Sequence, residues 1–552
     1  MIKEYYTKQY YQGKEASHRR AVYKAMGFTD EDLNRPLVAV VNTFSEVCPG
    51  HFHLQGLTKS VKDGIWQAGA TPMEFSTISQ CATAVLGMDG IRYDLAAREL
   101  IALDIETIVK TQLFDAMVVV TTCDKTIPGV LLAAARLNIP TVVVPGGIMD
   151  TGKVGGFEVS LADFDEKIFS KKIAAMSDDE VTEWENNVMP GNGACPIMGT
   201  ANTMQCLSEV LGISLPGSST KLADTGAQRR LAKQAGYTVV RLLEEGRTFS
   251  DICTPDAMRN MIRAGMSFGA ASNSVIHMLA LAYDMGFEAE INLETIAAIS
   301  KQTPCVVDTK PVGSYYLTYL EQAGGVPAVL GAIRESLAGG CVGVSGKTMD
   351  EVAAEGAKAY QKSGSSVIRD KSDPVMRQGG IVVLRGNLAD SAVVRMFKHS
   401  KNTFTGTAKV YGSQAEAMQA VAAGEVKKGD VIVLRFMGPR GGPAMPDCFG
   451  VAGAVVGAGL EEDVAVITDG RFSGFAKGVG VCQITPEAAL GGPLACVRDG
   501  DEIVIDTEHG LLQNNAPDFA ERQPVPTPPC GEKGILRIYS QIAGPASTGA
   551  RL

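Results

Sequence analysis

The sequence predicts an α/β fold in two parts: an N-terminal domain with a parallel sheet flanked by helices, and a C-terminal β-rich, barrel-like domain. Two observations predict this. Over the first two thirds of the chain, short Val/Ile runs alternate with helical periodicity, which is typical of strands buried on both faces of a parallel sheet. After residue 376, short Val/Ile runs follow one another with glycines between them and little helical pattern.

The N-terminal elements follow one another in a regular order. Residues 37–41, 116–120 and 141–144 are continuous apolar runs that predict strands. Residues 54–68 and 130–137 have helical periodicity and follow the first two runs. Because ligands bind beyond the carboxyl ends of parallel strands, the residues directly after 120 are expected to be functional.

The second part begins after a polar connection at residues 363–378, which predicts domains at 1–375 and 376–552. A helix is expected within the second domain at residues 413–423. Its predicted strands are residues 381–384, 431–434, 464–467 and 502–505.

Composition and charge exclude several classes of protein. The net charge is −10 and no long basic run is present, which argues against nucleic acid as a partner. No stretch approaches the roughly 18 apolar residues of a membrane span, and residues 1–20 lack the apolar core of a signal peptide. We therefore expect a cytoplasmic protein without a membrane partner. Its 12 cysteines are too scattered for a disulfide scaffold, so a few of them could ligate metal.

The segment after the second predicted strand carries Cys123, Asp124 and Lys125. A thiolate is a soft ligand that suits iron–sulfur clusters, whereas a carboxylate is a hard ligand that suits Mg2+. The pair could hold a cluster and a divalent cation side by side, and Lys125 would fit beside the cation if it were neutralised as a carbamate. The alternative is a buried strand-end cysteine with a solvated Asp/Lys pair.

Three further loops contain candidate residues. Cys195 lies in the Gly-rich loop of residues 190–204, where exposed N–H groups can bind cluster sulfurs or a carboxylate. The alternative for this loop is a Gly-rich turn before a helix. Asp447 ends a Gly/Pro-rich loop and is either a metal ligand or a helix cap. In the loop after 464–467, Ser473 could act as a base if a cation stabilised its alkoxide, and Arg471 could pair with a substrate carboxylate. A β-turn with a capping serine is the alternative for this loop.

Taken together, these segments resemble the dihydroxy-acid dehydratase and phosphogluconate dehydratase family. Residues 123–129 and 468–474 are similar to its two signature motifs, and the likeness runs nearly end to end through residues 190–204, 323–327, 384–389 and 438–446. The resemblance implies a swivelling, barrel-like second domain and a homodimer or homotetramer. It also implies an iron–sulfur cluster, 2Fe-2S or 4Fe-4S, bound by Cys123 and Cys195, with Mg2+ held by Asp124, Asp447 and a carbamylated Lys125, and Ser473 as the base.

The function implied by the resemblance is that of a hydro-lyase acting on a small hydroxy acid, which it converts from a 2,3-dihydroxy carboxylic acid to a 2-keto acid. The leading substrate is the branched dihydroxy acid of branched-chain amino-acid synthesis. Because residues 267–274 depart from the family's usual sequence, a sugar-acid (aldonate) dehydratase or another paralogue stays open. A non-catalytic iron–sulfur protein with a degraded magnesium site is a further alternative.

The sequence departs from the family at two ligand positions. Gly50 stands where many members have a third cluster cysteine, and Cys48, two residues earlier, is a candidate replacement. Ala82 stands where members usually have a magnesium-binding carboxylate. Cys81 could therefore join the cluster as a further thiolate. Asp89, on the same face if this segment is helical, could supply the missing carboxylate.

Overall fold

The fold is described from a computed structural model, which covers residues 6–170, 172–398, 400–472 and 478–552. The strands are β1 (Leu37–Asn42), β2 (Thr71–Ser76), β3 (Ala116–Thr121), β4 (Thr141–Pro145), β5 (Gly152–Val154), β6 (Phe157–Val159), β7 (Ile381–Gly386), β8 (Ala389–Arg395), β9 (Thr403–Tyr411), β10 (Asp430–Leu434), β11 (Ala465–Thr468), β12 (Val479–Thr485), β13 (Glu502–Asp506) and β14 (Leu511–Asn514). The α-helices are α1 (Tyr6–Tyr10), α2 (Ser17–Lys24), α3 (Asp30–Leu33), α4 (Leu54–Gln67), α5 (Asp94–Gln112), α6 (Thr126–Leu137), α7 (Leu161–Phe169), α8 (Asp178–Asn187), α9 (Thr200–Val210), α10 (Gly226–Glu245), α11 (Pro255–Phe268), α12 (Asn273–Asp284), α13 (Leu293–Gln302), α14 (Leu317–Gln322), α15 (Gly325–Ala332), α16 (Met349–Ser363), α17 (Gln414–Ala422), α18 (Phe449–Gly457) and α19 (Gly534–Ile542).

The N-terminal domain is built on a parallel sheet in the order β2-β1-β3-β4. Strands β1 and β3 are buried along their whole length, which explains why their sequences are continuous apolar runs. Strand β2 lies at the edge and is half exposed, with Glu74 pointing outward. Because polar and apolar residues are mixed in its sequence, β2 was not predicted as a strand.

Helices cover the sheet, and one of them, α6, begins at the carboxyl end of β3. Helix α6 begins directly after Lys125 and is buried over most of its length. Pro128 lies in its first turn, where a missing N–H costs no helical hydrogen bond. Thr126 Oγ1 donates to the Cys123 carbonyl at 2.9 Å and fixes the turn between β3 and α6.

The C-terminal domain is a closed barrel in the order β10-β11-β12-β8-β7-β14-β13-β9, with β9 and β10 closing it as a parallel pair. The predicted runs became β7, β10, β11 and β13, and the helix expected at 413–423 is α17. The predicted fold class, a parallel sheet flanked by helices followed by a barrel, is confirmed. The domain boundary at 375/376 falls in the connection between α16 and β7 and stays a prediction.

The barrel docks onto the N-terminal domain through buried polar contacts. Arg395, at the end of β8, donates to the carbonyls of Met198 at 2.9 Å and Gly269 at 2.7 Å. This contact holds the barrel close to the Cys195 loop. Among the helices of the described ranges, none combines the length and the apolar character that a membrane crossing requires.

Candidate active site

Four cysteines line one cavity of about 80 Å³ beyond the carboxyl end of the parallel sheet. Cys123 directly follows β3, Cys48 lies after β1, Cys81 follows β2, and Cys195 lies before α9. The Sγ atoms of Cys48 and Cys123 are 3.5 Å apart. The sheet topology therefore collects thiols that are up to 147 residues apart in the sequence, the separation of Cys48 and Cys195.

Two glycines shape this cavity, Gly50 beside the thiols and Gly193 in the loop of Cys195. A Cβ added at Gly50 would lie 2.7 Å from Cys123 Sγ, so the thiol would have to move to make room for it. Gly193 has a φ of +108°, and a Cβ there would lie 2.7 Å from the Met149 backbone nitrogen. Gly50, the position of the third cluster cysteine in many family members, is thus part of the cavity wall. Cys48 supplies a thiol next to Gly50.

His51 is buried next to Cys48 and Cys123, and its ligand atom lies within 4.8 Å of theirs. Its Nδ1 is 2.7 Å from the Thr43 carbonyl, to which it donates, and its Nε2 accepts from the Cys123 backbone N–H at 3.1 Å. Burial lowers the pKa of His51 to about 4, so the ring is neutral. The hydrogen bond from the Cys123 backbone to Nε2 shows that His51 orients Cys123, although no motif in the sequence indicates this role.

The thiols are protonated in the absence of metal. Burial raises the pKa of Cys195 to about 12, and a hydrogen bond with Cys123 together with burial raises the pKa of Cys48 further. A hydrogen bond with Cys48 and burial likewise raise the pKa of Cys81. Thiolates in this cavity therefore need a bound metal to stabilise them.

Three carboxylates and two cationic side chains form the other wall. Lys125 Nζ lies 2.9 Å from Asp94 Oδ2 and 2.5 Å from Asp124 Oδ2. The guanidinium of Arg471 donates to Asp94 Oδ2 at 2.5 Å and to Asp447 Oδ2 at 3.1 Å. All five side chains except Asp124 are almost completely buried, so these ion pairs are not screened by solvent.

The environment separates the acidities of these carboxyl groups. Burial would raise the pKa of Asp94, but the charges of Lys125 and Arg471 outweigh it and hold the pKa below its ordinary value. At Asp447 burial dominates and raises the pKa to about 6. Burial also raises the pKa of Asp124, against the lowering effect of Lys125. Asp94 is thus the carboxylate that the two cations stabilise most strongly as an anion.

The structure brings most of the predicted residues together. Cys48, Cys81, Cys123, Cys195, Asp124 and Asp447 all line the cavity, and Lys125 is buried behind it. Three nitrogens of Arg471 have protein partners, including the Met445 carbonyl, so its contact with a substrate carboxylate stays a prediction. Ser473 lies outside the described residues.

Asp89 does not supply the carboxylate that Ala82 lacks. Residues 79–82 are not helical, and Asp89 is exposed, so the expected approach of Asp89 along a helix face does not occur. Asp94 lines the cavity instead. The sequence alone did not indicate this position for Asp94, because an aspartate in the first turn of a helix usually serves only to balance the helix dipole.

Residues 35–352 match the family domain described as "Dihydroxy-acid/6-phosphogluconate dehydratase N-terminal", and residues 366–550 match the corresponding C-terminal domain. The chain belongs to the dihydroxy-acid/6-phosphogluconate dehydratase family. It is 42% identical over 554 residues to a dihydroxy-acid dehydratase of Caldicellulosiruptor bescii, with 98% of each chain covered. It is 42% identical over 550 residues to that of Acetivibrio thermocellus and 39% identical over 549 residues to that of Pyrococcus abyssi, with the same coverage.

Membership in this family confirms the predicted resemblance and the predicted enzyme class. The chain is a dehydratase, a hydro-lyase that eliminates water. The non-catalytic alternative that Ala82 suggested is therefore not retained.

Proposed function

We propose that this dehydratase converts a 2,3-dihydroxy carboxylic acid into the 2-keto acid, and that its substrate is the branched dihydroxy acid of branched-chain amino-acid synthesis. The observation that carries the reaction is that one cavity has a wall of thiols and a wall of carboxylates. In such a cavity, one wall could act on the leaving hydroxyl at C3 while the other binds the carboxylate end of the substrate. Relatives that match the full chain and are named dihydroxy-acid dehydratase support the substrate.

The thiol wall fits an iron–sulfur cluster. Cys48, Cys123 and Cys195 would hold it, because thiolates are the usual ligands of such clusters and these three thiols face one space. The room left by Gly50 beside Cys123 Sγ supports this arrangement. Cys81 lies against Cys48 and is a candidate fourth thiolate.

The carboxylate wall fits Mg2+. Asp124 and Asp447 offer oxygen ligands, which magnesium prefers. Lys125 would contribute as a carbamate, for which its ammonium forms an N–C bond to carbon dioxide and releases two protons. Its complete burial between two carboxylates gives the lysine a fixed position for this reaction.

When bound, the cluster and Mg2+ would supply Lewis acidity toward the leaving 3-hydroxyl and the substrate carboxylate. The protein would supply the base. We assign this role to Ser473, whose neighbour Arg471 is anchored to Asp94 and Asp447 beside the cavity. Ser473, as its alkoxide, would take the C2 proton and pass it to the departing 3-hydroxyl, which would leave as water, and the resulting enol would tautomerise to the 2-keto acid.

The proposal is tested by anaerobic purification and measurement of 2-keto acid formation from a panel of dihydroxy acids. We expect turnover of the branched substrate by wild type, background rates for Cys123→Ser and Ser473→Ala, and wild-type rates for Cys530→Ser. Cys530 is exposed and is the matched control. Full activity of Ser473→Ala would refute the base, and no product from any acid with iron fully loaded would refute the reaction.

A second cavity favours one alternative substrate, a sugar acid. It has about 230 Å³, shares Ile197 with the site cavity and is lined by Asp163, Asp165 and Lys310. Asp165 Oδ2 is buried without a hydrogen-bond partner among the described residues, and burial raises the pKa of Asp165 to about 6. A hydroxylated substrate tail could use these groups. Faster turnover of aldonic acids than of the branched acid would establish this alternative.

A further inference from the structure

The buried carboxylate Asp94 joins the two halves of the carboxylate wall. Its Oδ2 accepts from Lys125 Nζ at 2.9 Å and from Arg471 Nη2 at 2.5 Å. Lys125 also pairs with Asp124, and Arg471 also pairs with Asp447. Asp94 is therefore one hydrogen-bonded partner away from each of the two carboxylates assigned to the metal, and all three line one cavity.

We propose that Asp94 is a third carboxylate ligand of the divalent cation in this chain. The inference rests on the proposed function, in which the cation is Mg2+. Ala82 lines the same cavity and offers only a methyl group, so the wall between Cys81 and Asp94 provides no other carboxylate. The side chain of Asp94 is 1% exposed, and a buried carboxylate is stable only with cationic or hydrogen-bonding partners.

The chemistry of Lys125 gives the reason that Asp94 needs a metal. As an ammonium, Lys125 is a cationic partner of Asp94. As a carbamate it would be an anion, and Asp94 would keep only Arg471 as a cationic neighbour. The conversion removes two positive charges from this wall, which is the charge that one divalent cation restores. The cation that stabilises the carbamate would then also bind Asp94.

The remaining oxygen of Asp94 is weakly engaged. Gln80 Nε2 approaches Oδ1 at 3.4 Å, which is long for a hydrogen bond. Oδ1 can therefore turn to a cation while Oδ2 keeps its contact with Arg471.

The first test measures Mn2+ binding, as a stand-in for Mg2+, by electron paramagnetic resonance of free Mn2+. The protein is purified anaerobically with its cluster, stripped of divalent ions and titrated in bicarbonate buffer. We expect Asp94→Asn to weaken Mn2+ binding at least about tenfold, and the exposed control Asp89→Asn to bind like wild type. Equal affinity of Asp94→Asn and wild type would overturn the role of Asp94, whereas no binding by wild type would overturn the metal site itself.

The second test needs no variant and so does not depend on whether Asp94→Asn folds. Crystals of the wild-type protein are grown anaerobically with Mn2+, and its anomalous signal locates the ion. An Asp94 oxygen at about 2.2 Å from the ion would support the proposal. An ion bound to Asp124 and Asp447, with both Asp94 oxygens more than about 3.5 Å away, would overturn it.

Discussion

At the scale of single residues, the site depends on groups whose charge is set by burial. The Cys195 thiol is protonated at neutral pH because burial raises its pKa to about 12, and the neutral ring of His51 accepts the backbone N–H of Cys123. A metal that bound to these thiols would therefore have to displace their protons. His51 is a positioning residue, and its effect acts through Cys123.

The roles of Cys48 and Cys81, the two candidate ligands at positions where this chain departs from the family, can be separated. We expect Cys48→Ser to lose most of its iron, because Cys48 lies 3.5 Å from Cys123 and supplies the thiol beside Gly50. We expect Cys81→Ser to keep it, because a dehydratase cluster needs an iron that no thiolate occupies permanently. Iron and sulfide analysis of anaerobically purified protein measures both, with Cys530→Ser as the control. Equal iron loss in the two variants would instead make Cys81 a full ligand.

At the scale of elements, the parallel sheet determines where the loops meet. The carboxyl ends of β1, β2 and β3 lie at one edge, so the loops that carry Cys48, Cys81 and Cys123 converge there. The hydrogen bond from Thr126, the first residue of α6, to the Cys123 carbonyl then fixes the turn that carries Cys123 and Lys125. With the Cys123 thiol in its present position, a Cβ at Gly50 in the first loop would lie 2.7 Å from Sγ, so an added side chain would require this thiol to shift.

This requirement predicts a contrast between two glycines six residues apart. We expect Gly50→Ala to lower iron content by about half or more, since the added Cβ would lie 2.7 Å from Cys123 Sγ. Gly56→Ala in α4 meets no atom within 4 Å, and we expect it to raise the free energy of unfolding by about 0.5–1 kcal/mol. Iron analysis and urea unfolding measure the two effects. A Gly50→Ala protein with full iron content would contradict the proposed position of the cluster.

At the scale of the whole molecule, the site is shared between the two domains. Asp94 and Lys125 come from the N-terminal domain, whereas Asp447 and Arg471 come from the barrel domain. The buried pair between Arg471 and Asp94 therefore crosses the interface within the site itself. The carboxylate wall is therefore complete only when the barrel is docked on the N-terminal domain.

Two arginines that bridge the domains differ in burial and allow a matched test. We expect Arg395→Ala to lower the free energy of unfolding by at least about 2 kcal/mol, because it leaves the buried Met198 and Gly269 carbonyls without these donors. Arg385→Ala removes only an exposed pair with Glu294 and should cost less than about 1 kcal/mol. Urea unfolding followed by circular dichroism measures both. Equal effects would show that the buried contact does not secure the interface.

Much of the fold could be predicted because the buried strands carry their own signal. β1, β3 and β4 are continuous apolar runs, as full burial requires. Strands β2 and β9 were not predicted, because partly exposed strands carry polar residues and resemble loops. The barrel strands β8 and β12 were not predicted either, although most of their residues are buried, because polar residues interrupt their apolar runs. The pairing order of the barrel could not be predicted either, since it depends on contacts between distant segments.

The sequence by itself determined the α/β and barrel classes, the family, and the candidate cysteines and carboxylates, because these follow from local patterns and local motifs. Only the tertiary structure decided that Cys48 and Cys81 line the same cavity as Cys123, that His51 orients Cys123, and that Asp94 rather than Asp89 reaches the site. The physical reason is that proximity and burial arise from the crossing of distant segments. An aspartate at a helix start has the same sequence signature whether it balances a dipole or joins two buried cations.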